Sequence, residues 1–538
     1  MSHNPDMNQA DVFEAVADAV PDYKALTMDG RTLSFRDLDE ESTRMGHLLQ
    51  AAGVEPGEHV ALHMKNSIEH MCALIGSLKV RAGAININYR YTVKELEYLY
   101  NDSDCVATMV DAEFGEAVAE VLPGAPGIRA VLCVGDAPTA LVEACREREV
   151  ALHAVDTEWP SQSPERDFGP RSGDDTMVVY TGGTTGYPKG VQWRAADYFY
   201  ACLSGGNPYG EARTSPQEVA EHTEGGAFFN VVMSAPLMHG AGTFTVFTFL
   251  NLGGHLIMQR DFDPLEVVRS VEREKAGMLV FVGDGMAVPI IDTMVENKDT
   301  MDFSSLFAVS SGGGIWSKAS RDKLLGLLPD VIVRDNFGAS ESGNDGELTM
   351  NESGEVRLAP GPRLRVVRED FSTVEPGSDE IGFLARAGHV PLGYYNDPEK
   401  TARTFPIIDG VRMSILGDMA RVDEDGSIIF LGRGSGTINT AGEKVFPEEV
   451  EQALKSHPAV FDAVVAGAPD ERYGQMVAAV VQYRDGEEEP TDDELRTFLR
   501  ESLAGYKLPK RIVGVPEIKR SPAGKADYRW AKDQVAAG

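Results

Sequence analysis

The stretch Met177-Val178-Val179-Tyr180-Thr181-Gly182-Gly183-Thr184-Thr185-Gly186-Tyr187-Pro188-Lys189-Gly190 indicates both the fold and the chemistry of the chain. Its first four residues are typical of a short buried strand, which leads directly into a loop rich in glycine and threonine. Glycines allow a tight turn that presents backbone N–H groups to phosphate oxygens, while threonine hydroxyls and Lys189 add donors and charge. A plain surface turn is the alternative, but the preceding strand favours phosphate binding. The loop is not a Walker A motif, because Pro188 precedes Lys189 and Gly190 follows it.

Helical and strand patterns alternate before this stretch. Ser34 followed by Asp37 predicts the capped start of a helix that ends at Gly53, and Thr92 predicts the cap of another. A further helix is predicted over 68–80, and strands are predicted over 59–64 and 105–110. This alternation favours α/β layers around a largely parallel sheet.

Length, charge and cysteine usage limit the class of protein. A chain of 538 residues exceeds one ordinary core, so at least two structural units are expected. The formal net charge of −34 disfavours a nucleic-acid partner, because phosphate contacts dominate that affinity. The five scattered cysteines fit a reducing compartment. The N-terminus shows no signal-peptide pattern, and the apolar stretch 243–258 is interrupted and typical of a buried core segment. We therefore expect a cytoplasmic protein without a transmembrane segment; the sequence leaves a homodimer open.

The last hundred residues predict a separate small α+β unit. A helix begins near Pro447 with acidic residues in its first turns, where the helix dipole favours them. Apolar runs over 460–465 and 477–481 predict strands, and a second helix is predicted over 492–503. The flexible run Gly432-Arg433-Gly434-Ser435-Gly436 predicts a hinge. The predicted division is an N-terminal domain over 1–432, a hinge over 433–437 and a C-terminal domain over 438–538.

Several motifs in a fixed order resemble those of the class I adenylate-forming superfamily, which includes acyl-CoA synthetases, luciferases and peptide-synthetase adenylation domains. They are the phosphate loop described above, Ser310-Ser311-Gly312-Gly313-Gly314, Asp335-Asn336-Phe337-Gly338-Ala339-Ser340-Glu341, Gly417-Asp418, Gly432-Arg433 and Ser521-Pro522-Ala523-Gly524-Lys525. The resemblance implies a large N-terminal domain of layered α/β sub-domains and a small, mobile α+β C-terminal domain.

The same resemblance implies a nucleotide site. Phe337 would pack on adenine, Ser340 would meet the α-phosphate, and Glu341 would help to hold Mg²⁺ on the phosphates. Asp418 would accept both ribose hydroxyls beside Arg433. Phe337 and Ser340 replace the usual Tyr and Thr. The implied ATP-binding residues are Thr181, Gly182, Gly183, Thr184, Thr185, Gly186, Lys189, Gly313, Gly314, Asp335, Asn336, Phe337, Gly338, Ser340, Asp418 and Arg433.

The implied catalytic residues are Lys525, Glu341 and His239. Lys525, on a short mobile loop, would bridge the incoming carboxylate and the α-phosphate, and His239 would line the carboxylate site. A solvated tail lysine and an ordinary core histidine are the plainer alternatives. Gly442 and Glu443 would bind coenzyme A after domain rotation. Ser435 stands at the hinge position, where relatives commonly carry Asp or Lys, and Asn439 and Ala441 also depart from the common pattern.

The implied reaction uses ATP and Mg²⁺ to convert a carboxylic acid into an acyl-adenylate, from which coenzyme A takes the acyl group. Trp193-Arg194 and the run 438–447 resemble a subgroup acting on fatty acids and steroid side chains. Gly312–Gly314, Gly343 and Gly346 would leave room for such an acid. The alternatives are an adenylation enzyme that loads a carrier protein, a luciferase-like oxygenase and a non-catalytic nucleotide-binding relative. No carrier module follows Lys525, and retention of Lys525, Glu341 and Thr185 disfavours a non-catalytic protein.

Overall fold

The computed structural model describes most of the chain. The described residues are 4–181, 187–208, 210–226, 228–314, 316–350, 355–433, 436, 438–440, 443–470, 474–520 and 526–537. Their α-helices, in chain order, are α1 (Gln9–Ala19), α2 (Phe35–Ala51), α3 (Ile68–Lys79), α4 (Val93–Asp102), α5 (Gly115–Val121), α6 (Thr139–Glu147), α7 (Val155–Glu158), α8 (Ala195–Cys202), α9 (Pro216–Glu224), α10 (Gly240–Asn251), α11 (Pro264–Arg273), α12 (Gly283–Glu296), α13 (Lys318–Leu327), α14 (Pro398–Thr404), α15 (Pro447–Lys455), α16 (Asp492–Leu499) and α17 (Tyr528–Ala537).

The strands run through the whole described chain. In order, they are β1 (Lys24–Met28), β2 (Arg31–Ser34), β3 (His59–His63), β4 (Gly83–Asn86), β5 (Cys105–Asp111), β6 (Ala130–Val134), β7 (Ala151–Ala154), β8 (Thr176–Thr181), β9 (Lys189–Arg194), β10 (Asn230–Met233), β11 (His255–Met258), β12 (Met278–Phe281), β13 (Ala308–Gly312), β14 (Ile332–Ala339), β15 (Gly343–Met350), β16 (Val356–Leu358), β17 (Leu364–Val367), β18 (Gly382–Ala387), β19 (Gly393–Tyr394), β20 (Ile407–Ile408), β21 (Val411–Val422), β22 (Ile428–Arg433), β23 (Ile438–Thr440), β24 (Glu443–Val445), β25 (Val460–Asp470), β26 (Gly474–Tyr483) and β27 (Arg511–Gly514).

The largest sheet is parallel at one side and antiparallel at the other. From β1 through β11, β10, β12 and β13 to β14, neighbouring strands are parallel, and helices make the crossovers between them. From β14 through β15, β16, β22, β21 and β18 to β17, all pairs are antiparallel. The largely parallel sheet predicted from the sequence therefore covers only part of it. The connection between β14 and β15 spans residues 340–342, which is too short for a parallel crossover.

The remaining strands form smaller sheets. One is fully parallel, in the order β4, β3, β5, β6 and β7, and another is the antiparallel group β19, β9 and β8. Strands β23 to β27 form a separate five-stranded sheet with α15, α16 and α17, and its core is formed by their own apolar residues. The predicted fold class, a large N-terminal α/β domain with a small α+β C-terminal domain, is confirmed.

Local signals in the sequence mark several element ends. Ser34 and Asp37 form a capping box at the start of α2, as predicted, and Thr92 forms one with Glu95 at α4. The helix predicted over 492–503 ends earlier, at Leu499, because the N–H groups of Glu501 and Ser502 bond only three residues back.

The apolar stretch 243–258 is buried in the core, as predicted, but it comprises two elements. It contains most of α10, a turn over 252–254 and all of β11. Within the described ranges, no helix is both long and apolar enough to cross a bilayer.

Candidate active site

A cavity of about 1630 Å³ opens at the carboxyl ends of β10, β12, β13 and β14. Open α/β sheets commonly bind ligands at this edge, where loops and helix N-termini converge. The small domain forms the opposite wall with Asp462, Arg520 and Tyr528. The cavity therefore lies between the two domains, and described residues of three of the six predicted motifs line it: the phosphate loop, the stretch 310–314 and the stretch 335–341.

The predicted phosphate loop connects two strands of a hairpin. Strand β8 ends at Thr181, which pairs with Lys189 at the start of β9. Gly182, Gly183, Thr184, Thr185 and Gly186 lie outside the described residues. Thr181, Tyr187 and Pro188 line the cavity, so both ends of the loop open onto it.

Lys189 is held beside this hairpin by an acidic and an aromatic side chain. Its Nζ lies 2.7 Å from Asp397 Oδ2 and 5.8 Å from the centre of the Tyr394 ring. The hydrogen bond from Lys189 holds the pKa of Asp397 below its usual value. The same Tyr394 donates its hydroxyl to Glu341 Oε1 at 3.1 Å. The predicted phosphate lysine and the predicted Mg²⁺ ligand thus share one tyrosine.

The motif Asp335–Glu341 borders the cavity through its residues 336–340. Phe337 lines the cavity and meets Phe430 edge to face, with ring centres 5.2 Å apart. Asn336 donates to Ser310 Oγ at 2.8 Å, which links β14 to β13. Gly338 lies so close to β15 that an added Cβ would be 2.0 Å from the Gly343 carbonyl oxygen. Only glycine fits this approach of two backbones.

Ser340 and Glu341 follow at the end of that strand. Buried Trp193 donates its indole N–H to the Ser340 carbonyl at 2.9 Å, and Ser414 donates its hydroxyl to the Glu341 carbonyl at 2.9 Å. The Ser340 side chain faces α10, because a Cβ on Gly240 would lie 3.0 Å from Ser340 Oγ. The backbone that carries Ser340 and Glu341 is therefore held by the hydrogen bonds from Trp193 and Ser414.

Asp335 points away from the cavity. Its carboxylate forms a buried ion pair with Arg321 of α13 and is not among the cavity-lining groups, whereas its neighbours Arg334 and Asn336 are. Burial raises the pKa of Asp335 to about 7, with Arg321 opposing the shift. Because its carboxylate is held by Arg321, any contact of Asp335 with ATP would not be through that carboxylate as it stands here.

The glycine strand and His239 border the same space. Gly313 adopts φ +79° and lines the cavity, and an added Cβ there would lie 3.2 Å from Ala241 Cβ. Gly314 is packed against the backbone of Gly283. His239 lines the cavity at the N-cap position of α10, where its carbonyl accepts from the N–H groups of Gly242 and Thr243.

Asp418 and Arg433 are direct partners across neighbouring antiparallel strands. They face each other in the register of β21 with β22, although fourteen residues separate them in the sequence. Asp418 is largely buried. The side chain of Arg433 lies outside the described residues. The backbone therefore brings together the two positions predicted to bracket the ribose.

The remaining predicted positions fall wholly or partly outside the described residues. Ser435, Gly442 and Lys525 lie outside them, as does the side chain of Glu443. The residues flanking the Lys525 loop are described: Arg520 and Ala526 pair as antiparallel partners, and both line the cavity. The residues on either side of the Lys525 loop therefore lie at the cavity wall.

Comparisons with known proteins establish the family. A family model described as AMP-binding enzyme matches residues 13–395, and one described as AMP-binding enzyme C-terminal domain matches residues 449–525. The chain belongs to the AMP-binding enzyme family. The resemblance to adenylate-forming enzymes that the motifs predict is confirmed.

Relatives of this AMP-binding enzyme include acyl-CoA ligases. The 3-oxocholest-4-en-26-oate–CoA ligase of Rhodococcus rhodochrous is 43% identical, covering 98% of this chain and 96% of that protein. The medium/long-chain-fatty-acid–CoA/3-oxocholest-4-en-26-oate–CoA ligase of Mycolicibacterium smegmatis is 42% identical, with the same coverage. The crystal structure of the anthranilate CoA ligase AuaEII in complex with anthranoyl-AMP superposes with a TM-score of 0.83 at 21% identity, covering 100% of this chain and 98% of that one. This last likeness shows the fold alone.

The donor groups at the cavity fit a phosphate-bound Mg²⁺. The described residues contain no group of three His, Cys, Asp or Glu side chains arranged to hold a metal. Glu341 presents one half-buried carboxylate beside the phosphate hairpin, and Mg²⁺ commonly combines one or two carboxylates with substrate phosphates. Glu341 would hold the ion against ATP, where it would neutralise phosphate charge.

Asn86 contributes to the site of this AMP-binding enzyme in a way that the sequence analysis missed. Its side-chain amide donates to the Tyr180 carbonyl at 2.9 Å and to the Met238 carbonyl at 2.7 Å, and its Oδ1 accepts from the Tyr180 N–H at 2.9 Å. It thereby ties β4 to the strand before the phosphate loop and to the residue before His239. A polar residue ending the apolar strand β4 is the only local signal, and its partners are far away in sequence.

Replacing Asn86 by alanine is expected to lower kcat/KM for adenylation by roughly 10- to 100-fold, because loss of three hydrogen bonds lets the phosphate hairpin and the His239 turn shift apart. Pyrophosphate exchange, measured with ATP varied at a saturating concentration of acid, would give kcat/KM for ATP. Asn101→Ala is the matched control: Asn101 also donates to two carbonyls, of Glu97 and Gly124, but it is exposed and outside the cavity. Equal losses in both variants would contradict a role for Asn86 at the site.

Proposed function

We propose that this AMP-binding enzyme is an ATP-dependent acyl-CoA ligase, forming AMP, for a hydrophobic monocarboxylic acid: a medium- or long-chain fatty acid or a steroid side-chain acid. The observation that carries the proposal is one continuous cavity that joins the nucleotide motif to a large apolar space. The names of relatives that share more than two fifths of the sequence over nearly the whole chain support the same substrate class.

The apolar space lies between α10, β12 and α12. Apart from Asp284 of α12, the side chains that these elements present to the cavity carry no charge: they include Phe244, Thr245, Thr248, Phe249, Met278, Val280, Val282, Met286, Val288 and Pro289. Gly312, Gly313, Gly343 and Gly346 also line the cavity. A Cβ on Gly343 would lie 2.6 Å from the Ala201 carbonyl oxygen, so this glycine is required by backbone packing. Burial of an aliphatic chain or a sterol ring in such a space is favourable by about 25 cal/mol per Å².

The first half-reaction would take place where the motifs meet. The carboxylate attacks the α-phosphorus of ATP, an acyl-adenylate forms, and pyrophosphate leaves. Phe337 would stack on adenine, Asp418 would orient the ribose, and the hairpin 181–189 would hold the phosphates. Lys525, reaching in from the small domain, would stabilise the charge that develops between carboxylate and phosphate.

The second half-reaction would follow rotation of the small domain. We place the hinge at 433–437, between β22 of the large sheet and β23 of the small sheet, with domains over 1–432 and 438–538. Gly442 and Glu443 would then face the pantetheine arm while its thiol displaces AMP. Ser435 and its glycine neighbours would serve as the flexible joint. We place the enzyme in the cytoplasm, where ATP and coenzyme A are available; a homodimer stays a prediction of the sequence.

A panel of acids tests this function. The purified enzyme is incubated with ATP, Mg²⁺ and coenzyme A plus acetate, an amino acid, fatty acids of increasing length or a steroid side-chain acid, and thioesters are detected by mass spectrometry. We expect thioesters from the hydrophobic acids only. Activity confined to acetate or amino acids would contradict the substrate class. Adenylation without thioester formation, rescued by a carrier protein, would favour the carrier-loading alternative.

A further inference from the structure

A buried lysine of the small domain pairs with the large domain. Lys455, near the end of α15, has a side chain that is 6% exposed. Its Nζ lies 3.4 Å from Asp284 Oδ2 on α12 of the large domain and 3.3 Å from Asp462 Oδ1 on β25 of its own domain. The Asp284 side chain is 8% exposed, so the pair between the domains is largely shielded from water.

On the small-domain side, the contacts continue to Arg520, which precedes the Lys525 loop in the chain. Arg520 donates through Nε and Nη2 to the two carboxylate oxygens of Asp462, at 2.6 Å each. Arg520 is the last described residue before that loop, and it pairs with Ala526 on the far side. Two-point contacts between a guanidinium and a carboxylate fix orientation as well as distance.

On the large-domain side, the contacts reach the acid-binding wall. Asp284 accepts from Ser317 N–H and hydroxyl at 3.0 Å each and from the Ser320 hydroxyl at 2.9 Å, so its carboxylate is rigidly held. It follows Gly283, whose N–H donates to Ser311 Oγ at 3.0 Å in the glycine strand. Asp284 also lines the cavity, two residues before Met286 of the apolar wall.

We propose that Lys455 is a positioning residue for the first half-reaction: through the series Asp284–Lys455–Asp462–Arg520, it holds the small domain in the orientation that places the Lys525 loop at the cavity. This proposal rests on the proposed function and adds to it the group that selects the adenylating orientation.

The arrangement predicts an effect on one half-reaction only. Lys455, Asp462 and Arg520 belong to the small domain and move together, so within this series rotation breaks only the contact of Lys455 with Asp284. Because Asp284 is fixed to the large domain, the pair can exist in one orientation and not in the rotated one. Loss of Lys455 leaves buried carboxylates without their shared cation, which disfavours this orientation. The thioester-forming orientation does not depend on the contact.

The test compares the two half-reactions in full-length variants. Adenylation is measured as pyrophosphate exchange into ATP, and thioester formation is measured from supplied acyl-adenylate and coenzyme A. For Lys455→Met, we expect exchange to fall on the order of 10²-fold, since misplacement by about 1 Å costs that much. We expect the thioester rate to stay within about twofold, which also shows that the variant is folded. Lys455→Arg should recover part of the exchange rate.

Asp284→Asn and Asp292→Asn form a matched pair of variants. Both aspartates lie on α12 and face a small-domain cation, but the Asp292 contact with Arg484 is 3.5 Å long, and each of its side chains is 30% exposed. Exposed pairs contribute little. Asp284→Asn should therefore lower exchange selectively, and Asp292→Asn should leave both half-reactions nearly unchanged.

A distance measurement tests the proposal without catalysis. The native cysteines are buried, so dyes can be placed selectively on Lys298→Cys and Glu487→Cys, which lie at exposed positions of the two domains. Lys455→Met should broaden the distribution of dye-to-dye distances. Equal losses in both half-reactions, or an unchanged distribution, would overturn the proposal. Absence of both half-reactions in the unmodified enzyme with every acid would instead contradict the proposed function, and the distance measurement would still decide the role of Lys455.

Discussion

Replacing Lys525 by alanine is expected to slow acyl-adenylate formation by roughly 10²- to 10³-fold, the usual cost of removing one charged or hydrogen-bonding group that stabilises a transition state. The physical reason is that negative charge concentrates between carboxylate and α-phosphate as they approach. ATP affinity should change little, because the residues proposed to contact adenine, ribose and phosphates belong to the large domain and the hinge. Pyrophosphate exchange measures the first quantity, and equilibrium binding of ATP measures the second.

Lys519→Ala provides the matched control for this variant. Lys519 is an exposed lysine on the same approach to the cavity, six residues earlier in the chain. Its removal should leave adenylation unchanged, whereas a loss shared by both variants would indicate a general effect of charge. Adenylation at the full rate by Lys525→Ala would refute the role assigned to this lysine.

Replacing Arg386 by methionine is expected to lower the free energy of unfolding by about 3–5 kcal/mol, the typical cost of leaving a buried charge without its partner. Arg386 of β18 and Asp345 of β15 form an ion pair of 3.0 Å, with side chains only 4% and 6% exposed. Ser342 also donates its hydroxyl to Asp345. Urea denaturation at neutral pH would measure the difference.

The loss should depend on pH in a defined direction. Burial raises the pKa of Asp345, and Arg386 opposes this shift. Without the arginine, the folded-state pKa rises further above the unfolded value, so the variant retains more stability at pH values low enough for Asp345 to be protonated and loses it as pH rises. We therefore expect a smaller stability difference from the unmodified protein at pH 5 than at pH 8. A difference independent of pH would mean that Asp345 is not the group left unpaired.

Arg368→Met is the control for Arg386→Met. Arg368 forms an ion pair with Glu380 in which both side chains are substantially exposed. Its removal should change stability little at either pH, because water and salt screen such pairs.

The sequence predicts those parts of the site whose residues are close together in the chain. The hairpin around 181–189 and the strand with Phe337, followed by Ser340, are predicted as nucleotide-binding because glycine, hydroxyl and aromatic residues follow one another at short spacing. Side-chain alternation along β14 predicts that Asp335 and Asn336 lie on opposite sides of the strand. It would also turn Phe337 away from Asn336, whereas both line the cavity next to an irregularity of the strand pairing.

The sequence could not predict contacts made between distant segments. The pairing of Lys189 with Asp397 joins residues 208 positions apart, and that of Lys455 with Asp284 joins residues 171 positions apart. In both pairs, the residues around each lysine give no indication of its distant aspartate partner. The antiparallel half of the large sheet was missed for a related reason, since its order depends on pairings such as β16 with β22, which are distant in sequence.

The register of Asp418 with Arg433 has a consequence for the order of product release. Arg433 is the last residue of β22, and the next strand, β23, already belongs to the small sheet. The ribose of the nucleotide would therefore lie beside the hinge, where rotation of the small domain causes the smallest displacement. The acyl-adenylate would stay bound while the small domain rotates and presents a different surface to the active site. AMP is then expected to depart last, after the thioester has gone.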